Sequence, residues 1–126
     1  MNNEKRALIR GKIDQIETEI NETEKNIYQL EGQKEVPGSI VFKWIKCGKP
    51  KCHCMAENGE QHGPYPHLQW WEDGKLKTKY LNRKNFKQYR RDVDRTTALK
   101  ENKKKLEELQ KEKRKLDGIL KKTELE

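Results

Sequence analysis

The sequence predicts an α+β protein in which a long antiparallel helical hairpin, paired as a coiled coil, carries a small three-stranded β unit. Three observations lead there. Heptad seams of equal length stand towards the two ends of the chain. A stretch rich in β-branched and aromatic residues lies between them. Inside that stretch, all three cysteines and a histidine fall within residues 47–62.

The first segment, residues 1–35, is expected to be a coiled-coil helix running from Lys5 to Gln33. Ile9, Ile13, Ile16, Ile20, Thr23, Ile27 and Leu30 recur at alternating steps of four and three, with mostly Glu, Lys, Asn and Gln between them. A stripe of that period is the seam of paired helices. Gly32 and then Val36-Pro37-Gly38 end it. At ~1.5 Å per residue the rod is roughly 43 Å long.

The second segment, 36–82, is expected to be the β unit. Ser39–Ile45 has strand composition. His67–Leu81 reads as a hairpin around Asp73-Gly74, a dipeptide suited to a two-residue type I′ turn. That turn pairs Trp71 with Leu76, Trp70 with Lys77 and Leu68 with Lys79. One hairpin face then carries Trp71, Leu76, Thr78 and Tyr80. The other carries Leu68, Trp70, Lys75, Lys77 and Lys79. The cysteine-rich loop connects the first strand to the hairpin.

The third segment, 83–126, is a helix with Asn82 as its N-cap. Phe86, Tyr89 and Val93 form a first apolar stripe. Leu99, Asn102, Leu106, Leu109, Lys113, Leu116 and Leu120 form a second seam. The two stripes point in different directions, so the helix uses two faces or bends near Thr96-Thr97. The first face is expected to clamp the β unit and the second to meet the N-terminal helix. Pairing within one chain brings Leu30 near Leu99 and Ile9 near Leu120. Pairing between two chains, as a homodimer, would also bury both seams, which neither helix can do alone.

Only 31% of residues are hydrophobic and 40% are charged, which suits solvated helices plus one small packed unit. A small core gives little net stability, so a bound ion is a natural staple. Cys47, Cys52, Cys54 and His62 supply three thiolates and an imidazole in the spacing C-x4-C-x-C-x7-H, a complete tetrahedral set for one zinc per chain. An iron–sulfur cluster suits the set less well, and reduced thiols without metal are the alternative. His62 is chosen because His62-Gly63-Pro64 is a rigid turn. His53, between two ligands, is expected to point away, and His67, at a strand start, is held in reserve. An odd number of cysteines speaks against a disulfide framework. Free thiols place the protein in a reducing cytoplasm, and no signal peptide or transmembrane run is apparent.

Charge is unevenly spread. Residues 1–35 hold six basic and eight acidic side chains, a net −2; residues 36–95 hold thirteen and six, a net +7; residues 96–126 hold ten and seven, a net +3. A positive field concentrated on the β unit favours a polyanion. The expected function is nucleic-acid binding, DNA in preference to RNA, mainly through phosphates. The expected contacts are Lys43, Lys46, Lys49, Lys51, Lys75, Lys77, Lys79, Arg83, Lys84, Lys87, Arg90 and Arg91. Trp70, among the hairpin lysines, could stack on an unpaired base, but a core position under lysine stems is the better expectation for it.

Other classes find less support. The chain lacks a phosphate-cradling glycine loop, Gly-x-Ser-x-Gly and HExxH, so neither an enzyme nor a small-molecule substrate is expected. The apolar stripes are narrow and lack the bulky aromatics of an interfacial helix, so no membrane partner is expected. The runner-up is a coiled-coil protein-interaction or adaptor module with the zinc unit as a structural cap.

One resemblance stands out along Gly38-Ser-Ile-Val, Lys46-Cys-Gly-Lys-Pro-Lys-Cys-His-Cys54, His62-Gly-Pro-Tyr65, Leu68-Gln-Trp, Asp73-Gly-Lys and Tyr80. This resembles a group of small prokaryotic proteins known as a domain of unknown function, with a KCGKPxCxC…HGPYY…NGK pattern between two helical segments. The resemblance covers about residues 36–95 and implies family membership but no particular activity. Pro66 and His67 stand where that pattern has aromatics, which bears on the edge of the following strand.

Overall fold

A computed structural model describes residues 2–56 and 59–124. In chain order it contains α1 (Asn3–Leu30), β1 (Ser39–Ile45), a short 3-10 turn (His53–Met55), β2 (His62–Glu72), β3 (Lys75–Tyr80) and α2 (Arg83–Glu124). The class is α+β: two helices and one antiparallel sheet of order β1-β2-β3. Packing divides the chain into two compact units. One comprises α1 with α2 from Thr97 onward, and the other comprises Lys34–Thr96. The segment boundaries at 35/36 and 82/83 follow secondary structure, whereas packing groups the first turns of α2 with the sheet.

In the helical unit, all seven α1 seam residues are buried or half-buried, and among the remaining α1 residues only Arg6 is. The α2 seam from Leu99 to Leu120 is buried or half-buried at every position, and Thr123 continues it. Contacts between the helices fall in opposite chain order. The Arg6 guanidinium donates to Thr123 Oγ1 at 3.2 Å and to the Thr123 carbonyl. Arg10 pairs with Glu124 at 3.6 Å, Glu17 with Lys113 at 3.2 Å and Glu31 with Lys103 at 3.6 Å. Exposed pairs of this kind contribute about 0–1 kcal/mol each. The helix begins two residues before the expected Lys5 because Asn2 Oδ1 accepts the Lys5 N–H at 2.9 Å. It ends at Leu30 rather than Gln33, where Gly32 takes φ +86°, a left-handed stop.

In the sheet unit, the hairpin register is the expected one: Trp71 opposite Leu76, Trp70 opposite Lys77 and Leu68 opposite Lys79. Asp73 and Gly74 take φ 51° and 75°, as a type I′ turn requires. β2 differs from expectation. It starts at His62, not His67, and pairs with β1 from His62↔Ile45 through Tyr65↔Lys43 to Gln69↔Ser39. Pro64 and Pro66 lie inside it without breaking a ladder bond. The Pro66 carbonyl accepts the Leu81 N–H at 3.0 Å, so the Pro66 nitrogen also faces away from β1. Pro64, two residues earlier on the same strand, shares that side.

One sheet face packs against α2. Val36, Leu68, Leu81 and Val93 form the buried cluster, with Ile40, Trp70, Phe86 and Tyr89 against it. Trp70 is therefore half-buried against the core, opposite Lys77, and Lys79 Nζ donates to the Tyr89 hydroxyl at 2.7 Å. The exposed hairpin tryptophan is Trp71, at 73% of its full accessibility. Asn82 caps α2, its Oδ1 accepting the Asn85 N–H at 2.9 Å. The helix then runs unbroken past Thr96-Thr97, where packing passes from one unit to the other. At the changeover Thr96 Oγ1 accepts the Val36 N–H at 2.8 Å and donates to the Asp92 carbonyl at 2.7 Å.

Candidate metal centre

The loop between two antiparallel neighbours must return to where it started, and this topology gathers the ligands. β1 ends at Ile45, whose partner is His62. Cys47 leaves β1 two residues later, so Cys47 and His62 begin close together. Between them, the Cys52 N–H donates to the Lys49 carbonyl at 3.0 Å, closing a turn with Pro50 at its second position, where a fixed φ is favoured. The 3-10 turn follows, with the Met55 N–H on the Cys52 carbonyl at 3.0 Å. It carries Cys54 inward.

The result is a cluster. The ligand atoms of Cys47, Cys52, Cys54 and His62 all lie within 4.8 Å of one another. Cys47 Sγ and Cys54 Sγ are 3.4 Å apart, and Cys52 Sγ is 3.0 Å from His62 Nε2. Tetrahedral zinc with bonds of ~2.3 Å to sulfur separates its sulfurs by ~3.8 Å. The 3.4 Å sulfur pair falls a few tenths of an ångström short of that value and the widest separation in the set lies about 1 Å beyond it, so the four donors surround a volume of the right size for the ion. Cys54 is fully buried, Cys47 exposed, and Cys52 and His62 half-buried. All three cysteines are free thiols.

Local hydrogen bonding prepares the sulfurs. A backbone N–H at Lys49, followed by the Cys54 thiol, lowers the Cys47 pKa to about 6, so a thiolate is present at neutral pH. At Cys54 the Cys47 N–H, 3.5 Å from the sulfur, favours the thiolate. Burial and the adjacent sulfurs of Cys47 and Cys52 outweigh it and push Cys54 up. An ion at the centre of the four atoms would relieve that repulsion, since coordination deprotonates a thiol outright.

Of the other two histidines, His67 lies within β2, and its Nδ1–H donates to the Tyr65 carbonyl at 3.0 Å. His53 is nearer than expected. Its Nδ1 lies 3.9 Å from Cys52 Sγ and its ring meets His62 edge-on at 5.4 Å. The 3-10 turn that seats Cys54 also turns His53 towards the cluster.

Two glycines make the loop close. A Cβ on Gly63 would sit 2.8 Å from the Lys43 carbonyl oxygen and 3.1 Å from Trp44 Cα. A Cβ on Gly59 would sit 1.7 Å from the His53 carbonyl oxygen. Gly59 was not evident as a site residue; its only signal is the Asn58-Gly59 dipeptide, a general turn mark. Gly63→Ala is expected to push the start of β2 off β1 and carry His62 with it. Competition with a chromophoric chelator should show zinc affinity reduced by about 10-fold or more, as for a disturbed supporting shell.

A family described as a domain of unknown function, DUF6788, matches residues 13–91. The chain belongs to this family. The DUF6788 match takes in the sheet, all four cluster residues and α2 as far as Arg91, so the cluster lies within the family's own domain. No curated protein and no solved structure matches the chain.

The twelve cations expected to contact nucleic acid occupy four places. Lys43 lies on the sheet face turned away from α2, paired with Tyr65. Lys46, Lys49 and Lys51 are exposed around the cluster loop. Lys75, Lys77 and Lys79 are exposed along β3, with Lys77 and Lys79 opposite the core-facing Trp70 and Leu68. Arg83, Lys84, Lys87, Arg90 and Arg91 are exposed on α2; helical spacing turns Lys84, Lys87 and Arg91 away from Phe86, Tyr89 and Val93, while Arg83 and Arg90 neighbour Phe86 at i−3 and i+4. Among the described residues, no helix is long and apolar enough to cross a membrane.

Proposed function

We propose that the chain is a cytoplasmic nucleic-acid-binding protein, DNA in preference to RNA, and not an enzyme. In this reading one zinc ion held by Cys47, Cys52, Cys54 and His62 shapes the β unit. When bound, the ion supplies structural cross-linking and no reaction. The two seams form an antiparallel coiled coil. The observation that carries the reading is the charge of the sheet unit. Residues 36–95 are +7 net, and the cations around the cluster loop and on α2 are exposed to solvent, Arg90 in a pair with Asp94 at 3.4 Å. Burial of both seams by contacts within one chain weighs against the adaptor alternative, which needs an apolar face left open to a partner.

Phosphate contact makes affinity fall with salt, by about 0.9 in the slope of log K against log salt for each contact to duplex DNA. Changing Arg83, Lys87 and Arg90 together to glutamine is therefore expected to flatten that slope by about 2 to 3. Fluorescence anisotropy with labelled duplex at several salt concentrations measures it. Absence of any binding at low salt, to duplex or single strand, removes the reading.

A further inference from the structure

The sheet has a second face that α2 does not cover. On it the register aligns Val41, His67 and Tyr80 across the three strands, Lys43 beside Tyr65, and Trp71 beside Leu76. Trp71 is 73% exposed, Tyr80 55% and Leu76 48%. The rings are already ordered: Tyr65 and His67 each meet Tyr80 edge-on, with centroids 6.1 and 5.6 Å apart. A small folded unit leaves such a face bare at a cost, because exposed apolar area of this kind otherwise goes into the core.

Charge indicates what covers it. None of the residues that these three strands place on this face is acidic, and Lys43 stands among the rings. Beside Tyr65 and Tyr80 opens a cavity of about 510 Å³, whose wall is completed by Phe86, Arg83 and Lys87. Aromatic faces next to guanidinium and ammonium groups match the two halves of a nucleotide, a flat base and a phosphate. A duplex hides its base faces in its own stack, so only unpaired bases can use the rings. From Tyr65 to Trp71 the strand advances about 20 Å, the scale of the shortest single-strand sites of about 4 nucleotides.

We propose that this outer sheet face is a stacking platform for single-stranded nucleic acid, with Trp71, Tyr80, Tyr65 and His67 under the bases and Lys43, Arg83 and Lys87 at the phosphates. This rests on the nucleic-acid reading above and narrows it to unpaired strands. Trp71 takes the stacking part that Trp70, turned into the core, cannot take.

The test compares a labelled oligothymidine of about 12 nucleotides with a duplex of the same length, using wild type, Trp71→Ala, Tyr80→Ala and Trp71→Phe. Each site is exposed, and a thermal melt by circular dichroism checks that folding is unchanged. The single strand should bind more tightly than the duplex. Each alanine variant should lose about 5- to 160-fold in single-strand affinity, the range for one stacked base, while duplex binding stays at the wild-type level. Trp71→Phe should recover most of the loss, because a ring is what stacking requires.

If duplex binds and the alanine variants leave single-strand affinity unchanged, the platform is wrong and the general nucleic-acid reading survives. If neither strand form binds at low salt, the general reading falls and takes the platform with it. If wild type forms a concentration-dependent dimer that Trp71→Ala dissolves, the face belongs to a second copy of the chain, and the platform is again overturned.

Discussion

Replacing Cys54 with serine is expected to abolish the proposed zinc binding and unfold the sheet unit. Cys54 is the buried member of the cluster, with no accessible surface, and its sulfur lies 3.4 Å from that of Cys47. A hydroxyl is a poor zinc ligand, and three remaining ligands leave the ion open to competition. Structural zinc in small domains accounts for about 10 to 16 kcal/mol of apparent binding free energy. That matches or exceeds the whole stability of an ordinary domain, about 5 to 15 kcal/mol. Wild type should carry about one zinc per chain by elemental analysis, and the variant none. All three tryptophans, Trp44, Trp70 and Trp71, lie in the sheet unit; Trp70, half-buried against the core, reports its unfolding by a red-shifted emission, while Trp44 and Trp71 are already exposed. A strong chelator should reproduce the effect on wild type, and added zinc should reverse it there but not in the variant. Metal-free wild-type protein melting at an unchanged temperature would show that the thiols need no ion.

The second large effect is expected at Leu81. It is 1% exposed and sits with Val36, Leu68 and Val93 at the junction of β3 and α2. Leu81→Ala keeps the backbone bond from its N–H to the Pro66 carbonyl but leaves a void among those side chains. Burial lost plus the cavity left behind is expected to lower stability by about 2 to 5 kcal/mol. Urea unfolding of zinc-loaded protein, followed by tryptophan emission, measures it. A loss below about 1 kcal/mol would mean that the site collapses freely or that Leu81 is not the centre of this core.

How much of this was legible follows from what each pattern encodes. The heptad seams and the Asp73-Gly74 turn were readable because their periods and backbone needs are local. Every seam position from Ile9 to Leu30 is buried or half-buried. The Cys/His cluster was readable because residue type alone limits what can hold a metal. The identity of the exposed tryptophan was not settled by alternation alone. A period of two separates Trp70 from Trp71 but does not say which face the helix covers, and the core choice for Trp70 rested on the neighbouring lysine stems. That face is decided by Phe86, Tyr89 and Val93, many residues away in the chain. The early start of β2 was hidden by Pro64 and Pro66, which discount a strand until the side on which each nitrogen lies is known. His53 stays exposed and outside the four-residue cluster, although the 3-10 turn leaves its ring edge-on to that of His62.

The lysines of β3 have one more consequence. β3 is a rim of the sheet, with a row of backbone groups that another molecule's strand could join, and Lys75, Lys77 and Lys79 stand exposed along it. Bringing two such rims together would set like charges side by side, so molecules crowded at high concentration are kept from zipping into fibrils along that border.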